Sequence, residues 1–142
     1  VYSHLAYDIV PGHVQELSRP DIMILEGLNV LQTPQRQQGR SLAVSDFFDF
    51  SIYIDADADD IERWYVERFM TLRETVFQDR RSYFHRYASL SDAEAVRTAR
   101  RIWRDVNLVN LVENIAPTRE RAHLIFRKGP DHDIVSIRLR KI

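Results

Sequence analysis

The 142-residue chain contains no cysteine, so disulfides and thiolate metal sites are both excluded. Nothing in its covalent chemistry demands an oxidising compartment, and a cytoplasmic location is the default expectation. Glycine is scarce: it stands only at positions 12, 27, 39 and 129, and nowhere in the G-x-x-x-x-G-K-[ST] pattern whose backbone amides cradle phosphates. No apolar run approaches the ~20 residues needed to cross a bilayer, and the first residues lack the charged-then-apolar pattern of a secretory signal. A membrane role is therefore not expected. His13, His85 and His123 show no metal-ligand spacing, so no metal site is expected either. The chain opens on "VYSHLAYDIVPG", without an initiator methionine or a polar lead-in, and reads as the middle of something longer.

What is present is a globular composition, 44% hydrophobic and 11% aromatic, enough for a sizeable core in one domain. The net charge of −1 conceals an asymmetry. Residues 1–96 hold 9 Lys/Arg against 16 Asp/Glu, net −7, while residues 97–142 hold 11 against 5, net +6. A basic segment fits a phosphate-bearing ligand, nucleic acid or a solvated face. With no aromatic residues interleaved among the charges, a small phosphorylated ligand fits better than nucleic acid.

Two apolar runs end in acids. "DIMILEG" has four consecutive apolar residues before Glu26 and Gly27, the pattern of a strand buried on both faces, and "FDFSIYIDA" (residues 48–56) repeats it and ends at Asp55. Between them, residues 33–45 lack periodicity and read as an exposed, mobile loop without chemistry. From Asp57, an N-cap candidate, acids at Asp59, Asp60 and Glu62 face the positive end of a helix dipole. Ile61, Tyr65, Phe69, Leu72 and Val76 then recur on one helical face. After a break at "QDRRS", "SYFHRYASL" predicts a short aromatic helix. "SDAE" has the capping-box form and predicts a helix ending near Asn107, with Ala95, Ala99, Ile102, Trp103 and Val106 on its apolar face. "NLVNLVENIAPTRER" reads as a loop stopped by Pro117, and "AHLIFRK" and "IVSIRLRK" as strands joined by a hairpin turn, "GPDHD".

These elements make an α/β chain, and acids at the carboxyl ends of parallel strands lie where ligands bind in such folds. In nucleoside-triphosphate enzymes such an acid holds Mg²⁺ or orients water opposite a phosphate loop. Glu26 and Asp55 are candidates; capping of the next helix or turn is the other reading of each.

The stretches "VYSHLAYDIVPG", "RPDIMILEGLNVLQ", "VSDFFDFSIYIDA", "IERWYVERFM", "NLVNLVENIAPTRERAHLIFRK" and "IRLRK" occur in the same order in one known family. Along essentially all 142 residues the chain resembles the C-terminal portion of bacterial type I pantothenate kinase. The resemblance implies a P-loop kinase-like, mostly parallel sheet flanked by helices, with a closing hairpin. Residues 1–142 would form the C-terminal part of a single domain whose phosphate loop and catalytic aspartate precede Val1. It implies phosphorylation of the primary hydroxyl of pantothenate by ATP with Mg²⁺, the first step of coenzyme A biosynthesis. It also implies a homodimer, with coenzyme A as an inhibitor competing with ATP.

By the same resemblance His4, Tyr7, Tyr65 and Asn107 match positions that contact pantothenate, Arg68 a position near the phosphoryl-transfer centre, and His132 one that contacts the nucleotide base and the coenzyme A adenine. Glu26 would support the Mg²⁺ and phosphate site. The aromatic residues Phe69, Phe77, Tyr83, Phe84 and Tyr87 would be core and would also wall the pantothenate pocket. Without the resemblance, Tyr65 reads as a core tyrosine, Asn107 as a C-cap, His132 as a turn histidine, and Arg68 as an exposed ion pair with Glu62 or Glu67. Two further readings are a related P-loop kinase of another small alcohol, against which "IERWYVERFM" and "PTRERA" argue, and a catalytically silent fragment or dimerisation module. On any of them the 142 residues alone are expected to lack kinase activity.

Overall fold

The structure, a computed structural model, describes residues 2, 3, 7–33 and 42–141, with nothing to be said of the Tyr2 side chain. The chain divides into two compact units interleaved in sequence. One comprises Val1–Ile24 and Trp64–Arg101, the other Leu25–Arg63 and Ile102–Ile142.

The second unit is built on a three-stranded mixed sheet. After the short antiparallel pair β1 (Tyr2–Ser3) and β2 (Asp8–Ile9) of the first unit, strand β3 (Ile52–Asp55) pairs in parallel with β4 (Leu124–Lys128), which pairs antiparallel with β5 (Ile134–Leu139). The expected closing hairpin is present. Its turn is fixed by the Gly129 amide donating to the Asp133 carbonyl at 2.9 Å. A Cβ on Gly129 would lie 2.6 Å from Asp133 Oδ1 and 2.8 Å from Val135 Cγ1, so a larger residue there would displace those side chains. Tyr53 and Ile125, neighbours across the parallel ladder, form the core with Leu31 and Ala122, and Val30, Phe48 and Ile115 pack against it.

Several expectations are corrected here. Residues 22–25 form no strand. Ile22, Met23, Ile24 and Leu25 are exposed in irregular backbone, because an apolar run becomes a strand only with a neighbour to pair its amides, and no ladder among the described residues reaches it. The strand expected over residues 48–56 is shorter, and only one face is buried: Tyr53 is buried, whereas Ile52 and Ile54 are exposed. The sheet is mixed rather than mostly parallel. Of the expected loop 33–45, residues 34–41 lie outside the described residues, and its end folds into a 3-10 turn, Val44–Phe47, with Ala43 buried.

Helix α1 (Ala58–Glu74) starts immediately after Asp57, whose carbonyl accepts the first helical bond from the Ile61 amide at 3.0 Å. It stops before Val76, which is exposed, so the expected apolar face ends at Leu72. Helix α2 (Asp92–Ile102) begins with the expected capping box: Ser91 N–H donates to Glu94 Oε2 at 2.9 Å, and Glu94 N–H to Ser91 Oγ at 3.4 Å. The helical path does not end near Asn107. It runs on through π-type turns at Trp103–Asn107 and Leu111–Ile115, separated by an α-turn at Leu108–Asn110, into a 3-10 stretch, Ala116–Arg121. Leu108, Leu111 and Ile115 recur at helical spacing and are half-buried, which keeps the path helical where a loop was expected. Pro117 sits at the start of the 3-10 stretch, where its missing amide is not needed.

Candidate active site

The first unit contains an aromatic cluster assembled from three parts of the sequence. Phe69 comes from α1, Phe77 from the 3-10 turn Val76–Gln78, and Tyr83, Phe84 and Tyr87 from the segment expected to be a short helix, where only one 3-10 turn, His85–Tyr87, forms. Phe69 and Phe77 are buried, with ring centroids 5.5 Å apart at 77°. Phe84 bridges Phe77 at 5.3 Å and Tyr83 at 5.1 Å, in geometries favourable for aromatic pairs. His85 Nδ1 lies 2.9 Å from the Phe77 carbonyl, tying the two turns together. Beneath this region the guanidinium of Arg73 is buried. It donates to the Leu90 carbonyl at 2.9 Å and to Asp92 Oδ1 at 2.6 Å.

Tyr7 joins the same cluster. Its ring stacks on Tyr83 at 5.5 Å and 18°, and meets Phe84 edge-on at 4.8 Å. Its backbone has φ 55°, a left-handed conformation that a bulky residue adopts only where its surroundings enforce it. Tyr65 precedes Phe69 by four residues on α1, hence on the same helical face, and is half-buried. Arg68 is exposed on the same helix. It forms no ion pair with Glu62, Glu67 or any other acid among the described residues, so the alternative of a surface salt bridge is not realised. His4 lies outside the described residues.

In the second unit, Asn107 is half-buried on a helical path that continues past it, so it is not a C-cap. Glu26 is exposed, in irregular backbone rather than at a strand end, and no cluster of three or more acids or histidines able to hold a metal ion occurs among the described residues. His132 lies in the hairpin turn with φ 67°, and its Nδ1 accepts a hydrogen bond from Lys128 Nζ at 2.8 Å. His123, to which no site was assigned, accepts the Ser51 amide on Nδ1 at 3.0 Å and stacks on Phe50.

The most concentrated electrostatics in the second unit lie at the carboxyl end of β3. Asp55 is 14% exposed, and its Oδ2 accepts Arg119 Nε at 3.0 Å and Arg127 Nη1 at 3.1 Å. Arg127 also reaches Asp57 Oδ1 at 2.6 Å. It thus staples the end of β3 to the residue that opens α1. The register places Arg127 beside Asp55, and a register shift in the β4–β5 ladder falls at Arg127 and Lys128, where such irregularities re-aim side chains. Hydrogen bonds donated first to Asp57 and then to Asp55 hold the Arg127 guanidinium further into its charged range than usual. Burial, with the Asp55 charge second, pushes the nearby Tyr53 hydroxyl up. Arg119 and Arg127 escaped the sequence reading, because each pairs with a residue 64 or 72 positions away; the one local sign was the basic C-terminal third.

Strand, helix and mixed sheet define an α/β chain compatible with part of an α/β kinase. No family model matches it. Curated relatives do. The chain is 56% identical over all its 142 residues to the pantothenate kinase of Sorangium cellulosum, covering 46% of that protein. It is 58% identical over the same span to the pantothenate kinases of Mycolicibacterium smegmatis and Mycobacterium sp. strain KMS, covering 44% of each. It therefore spans less than half the length of the curated relatives it matches, and its whole length corresponds to part of pantothenate kinase, consistent with a C-terminal portion.

Proposed function

We propose that the chain is the C-terminal part of a P-loop kinase domain that phosphorylates pantothenate at the expense of ATP, and that it supplies the acceptor side of the site. The observation that carries this reading is the aromatic cluster with Tyr7 packed on its edge and Tyr65 one helical turn from Phe69. Pantothenate combines a dimethyl group with hydroxyls, an amide and a carboxylate, and an apolar wall edged by tyrosine hydroxyls suits such a molecule. Tyr7, Tyr65, Asn107 and His4 would hold it by hydrogen bonds. Arg68, exposed and unpaired among the described residues, would place its guanidinium on the charge that develops during phosphoryl transfer.

ATP enters with Mg²⁺ as a substrate. The residues of this chain contain no phosphate-cradling loop, and what they offer is Glu26 toward the metal and phosphates and His132 toward the base. Inhibition by coenzyme A at the nucleotide site, a homodimeric state and a cytoplasmic location belong to the same proposal. No helix among the described residues is long and apolar enough to cross a membrane.

The test is a chimera in which this chain replaces the matching stretch of the M. smegmatis protein. It is expected to release ADP only when pantothenate is present. A folded chimera that turns over another small alcohol and not pantothenate would establish the related-kinase reading instead. One without any turnover would leave the silent module as the answer.

A further inference from the structure

On the proposed reading the acceptor is an acid, and its carboxylate is ionised at neutral pH. Yet the residues matched to pantothenate, namely His4, Tyr7, Tyr65 and Asn107, include no permanent cation, and Arg68 is assigned to the phosphoryl end. A carboxylate brought to an apolar wall without a cation loses hydration that neutral hydroxyl and amide donors replace only in part. The missing charge is found on the aromatic cluster itself.

Arg86 lies on the 3-10 turn His85–Tyr87, between two residues of the cluster. Its guanidinium carbon is 4.9 Å from the centroid of the Tyr83 ring and 4.9 Å from that of Tyr87, and Nη2 donates to the Tyr87 hydroxyl at 3.2 Å. Tyr83 is in turn the ring on which Tyr7 stacks. Two aromatic faces and one hydroxyl thus hold a long, flexible side chain in place, which lowers the entropy lost when it engages a ligand. The guanidinium is exposed and has no carboxylate partner among the described residues, unlike Arg73 and Arg81 in the same unit, which are paired with Asp92 and Asp79. The hydrogen bonds it donates to Tyr87 and then to Tyr83 hold it further into its charged range than usual. Its fork is free to take two carboxylate oxygens at once.

We propose that Arg86 is the subsite for the carboxylate of the acceptor, making the site selective for a small acidic alcohol over its neutral analogue. The proposal rests on the reading of the chain as part of a pantothenate kinase. It extends that reading by naming which group of the substrate meets which residue.

The experiment compares two acceptors on the full-length protein: pantothenate, and the analogue in which the carboxylate is replaced by a neutral –CH₂OH group. Arg86→Gln and Arg86→Ala are each expected to raise the KM for pantothenate by about tenfold or more, with kcat and the KM for ATP little changed. Arg86→Lys recovers part of the loss. The KM or inhibition constant of the neutral analogue stays within about twofold of wild type in every variant. Equal losses for both acceptors would make Arg86 a packing element of the wall and overturn the subsite, as would unchanged pantothenate KM in a folded Arg86→Gln protein. Absence of pantothenate turnover by the wild type overturns the kinase reading itself, a result distinct from either.

Discussion

Replacing Asp55 with alanine removes the carboxylate on which Arg119 and Arg127 converge at the end of β3. Breaking a fully buried pair costs about 3–5 kcal/mol because a charge is left uncompensated, whereas an exposed pair is worth about 0–1. Asp55 is 14% exposed and the two arginines are 31% and 32% exposed, which places this cluster between those limits. Asp55→Ala should therefore destabilise by about 2 kcal/mol. The loss falls unequally on the two arginines. Arg127 keeps Asp57 at 2.6 Å, while Arg119 keeps only the 73%-exposed Glu120. The coupling of Asp55 with Arg119, measured by a double-mutant cycle with Arg119→Ala in urea denaturation followed by circular dichroism, should then be about 1 kcal/mol, and that with Arg127 smaller. Single losses that add within about 0.3 kcal/mol would show that the arginines do not sense Asp55, and would refute the account of β3 as ending in a charge clamp.

Two further outcomes follow from the same geometry. Arg68→Ala in the full-length protein should lower kcat by about 10²–10³-fold with little change in either KM, Arg68→Lys should recover only part, and the melting temperature should not move, since Arg68 has no ion-pair partner among the described residues to lose; steady-state kinetics with thermal melts check this, and wild-type turnover would remove Arg68 from the transfer step. The side-chain and then the backbone hydrogen bonds of Arg81 hold the Asp79 carboxyl down at about 2, so its contribution to stability is fully present above its ordinary 3.8 and is lost as pH falls through about 2. In Arg81→Ala the Asp79 carboxyl should titrate closer to 3.8 by NMR, though not fully, because the residue 81 amide still donates to it; a midpoint still at about 2 would contradict the assignment.

What was legible in the sequence was what neighbours decide. Ser91 and Glu94 are three residues apart and satisfy each other, so their helix start was readable, as was the hairpin between residues joined by a five-residue turn. The helix after Asp57 was readable from its acids and its apolar spacing. What was not legible depends on distant partners. The run at residues 22–25 has strand composition, but composition supplies no ladder. Between Trp103 and Ile115 the apolar residues Leu108, Leu111 and Ile115 do keep helical spacing, but set among Asn107, Asn110, Asn114 and Pro117 the continuous path looked like a loop. The substrate residues came from resemblance rather than from pattern. The aromatic cluster was visible as composition, but the placement of Arg86 between two tyrosine rings depends on a turn that local spacing had given as a helix.

The interleaving of the two units has a consequence for the order in which the chain can be made. β3 must wait for β4, and the Asp55–Arg127 pair joins residues 72 positions apart. At a synthesis rate of about 5–20 residues per second, β3 has emerged for about 4–14 s before its parallel neighbour exists. The other unit is likewise begun by residues up to Ile24 and completed only by those from Trp64 onward. The first has all its residues once Arg101 has emerged, whereas the second stays open until those from Ile102 onward follow. β3 therefore waits without its parallel neighbour while those residues are made, and holding it apart from other nascent chains falls to the ribosome and the chaperones around it.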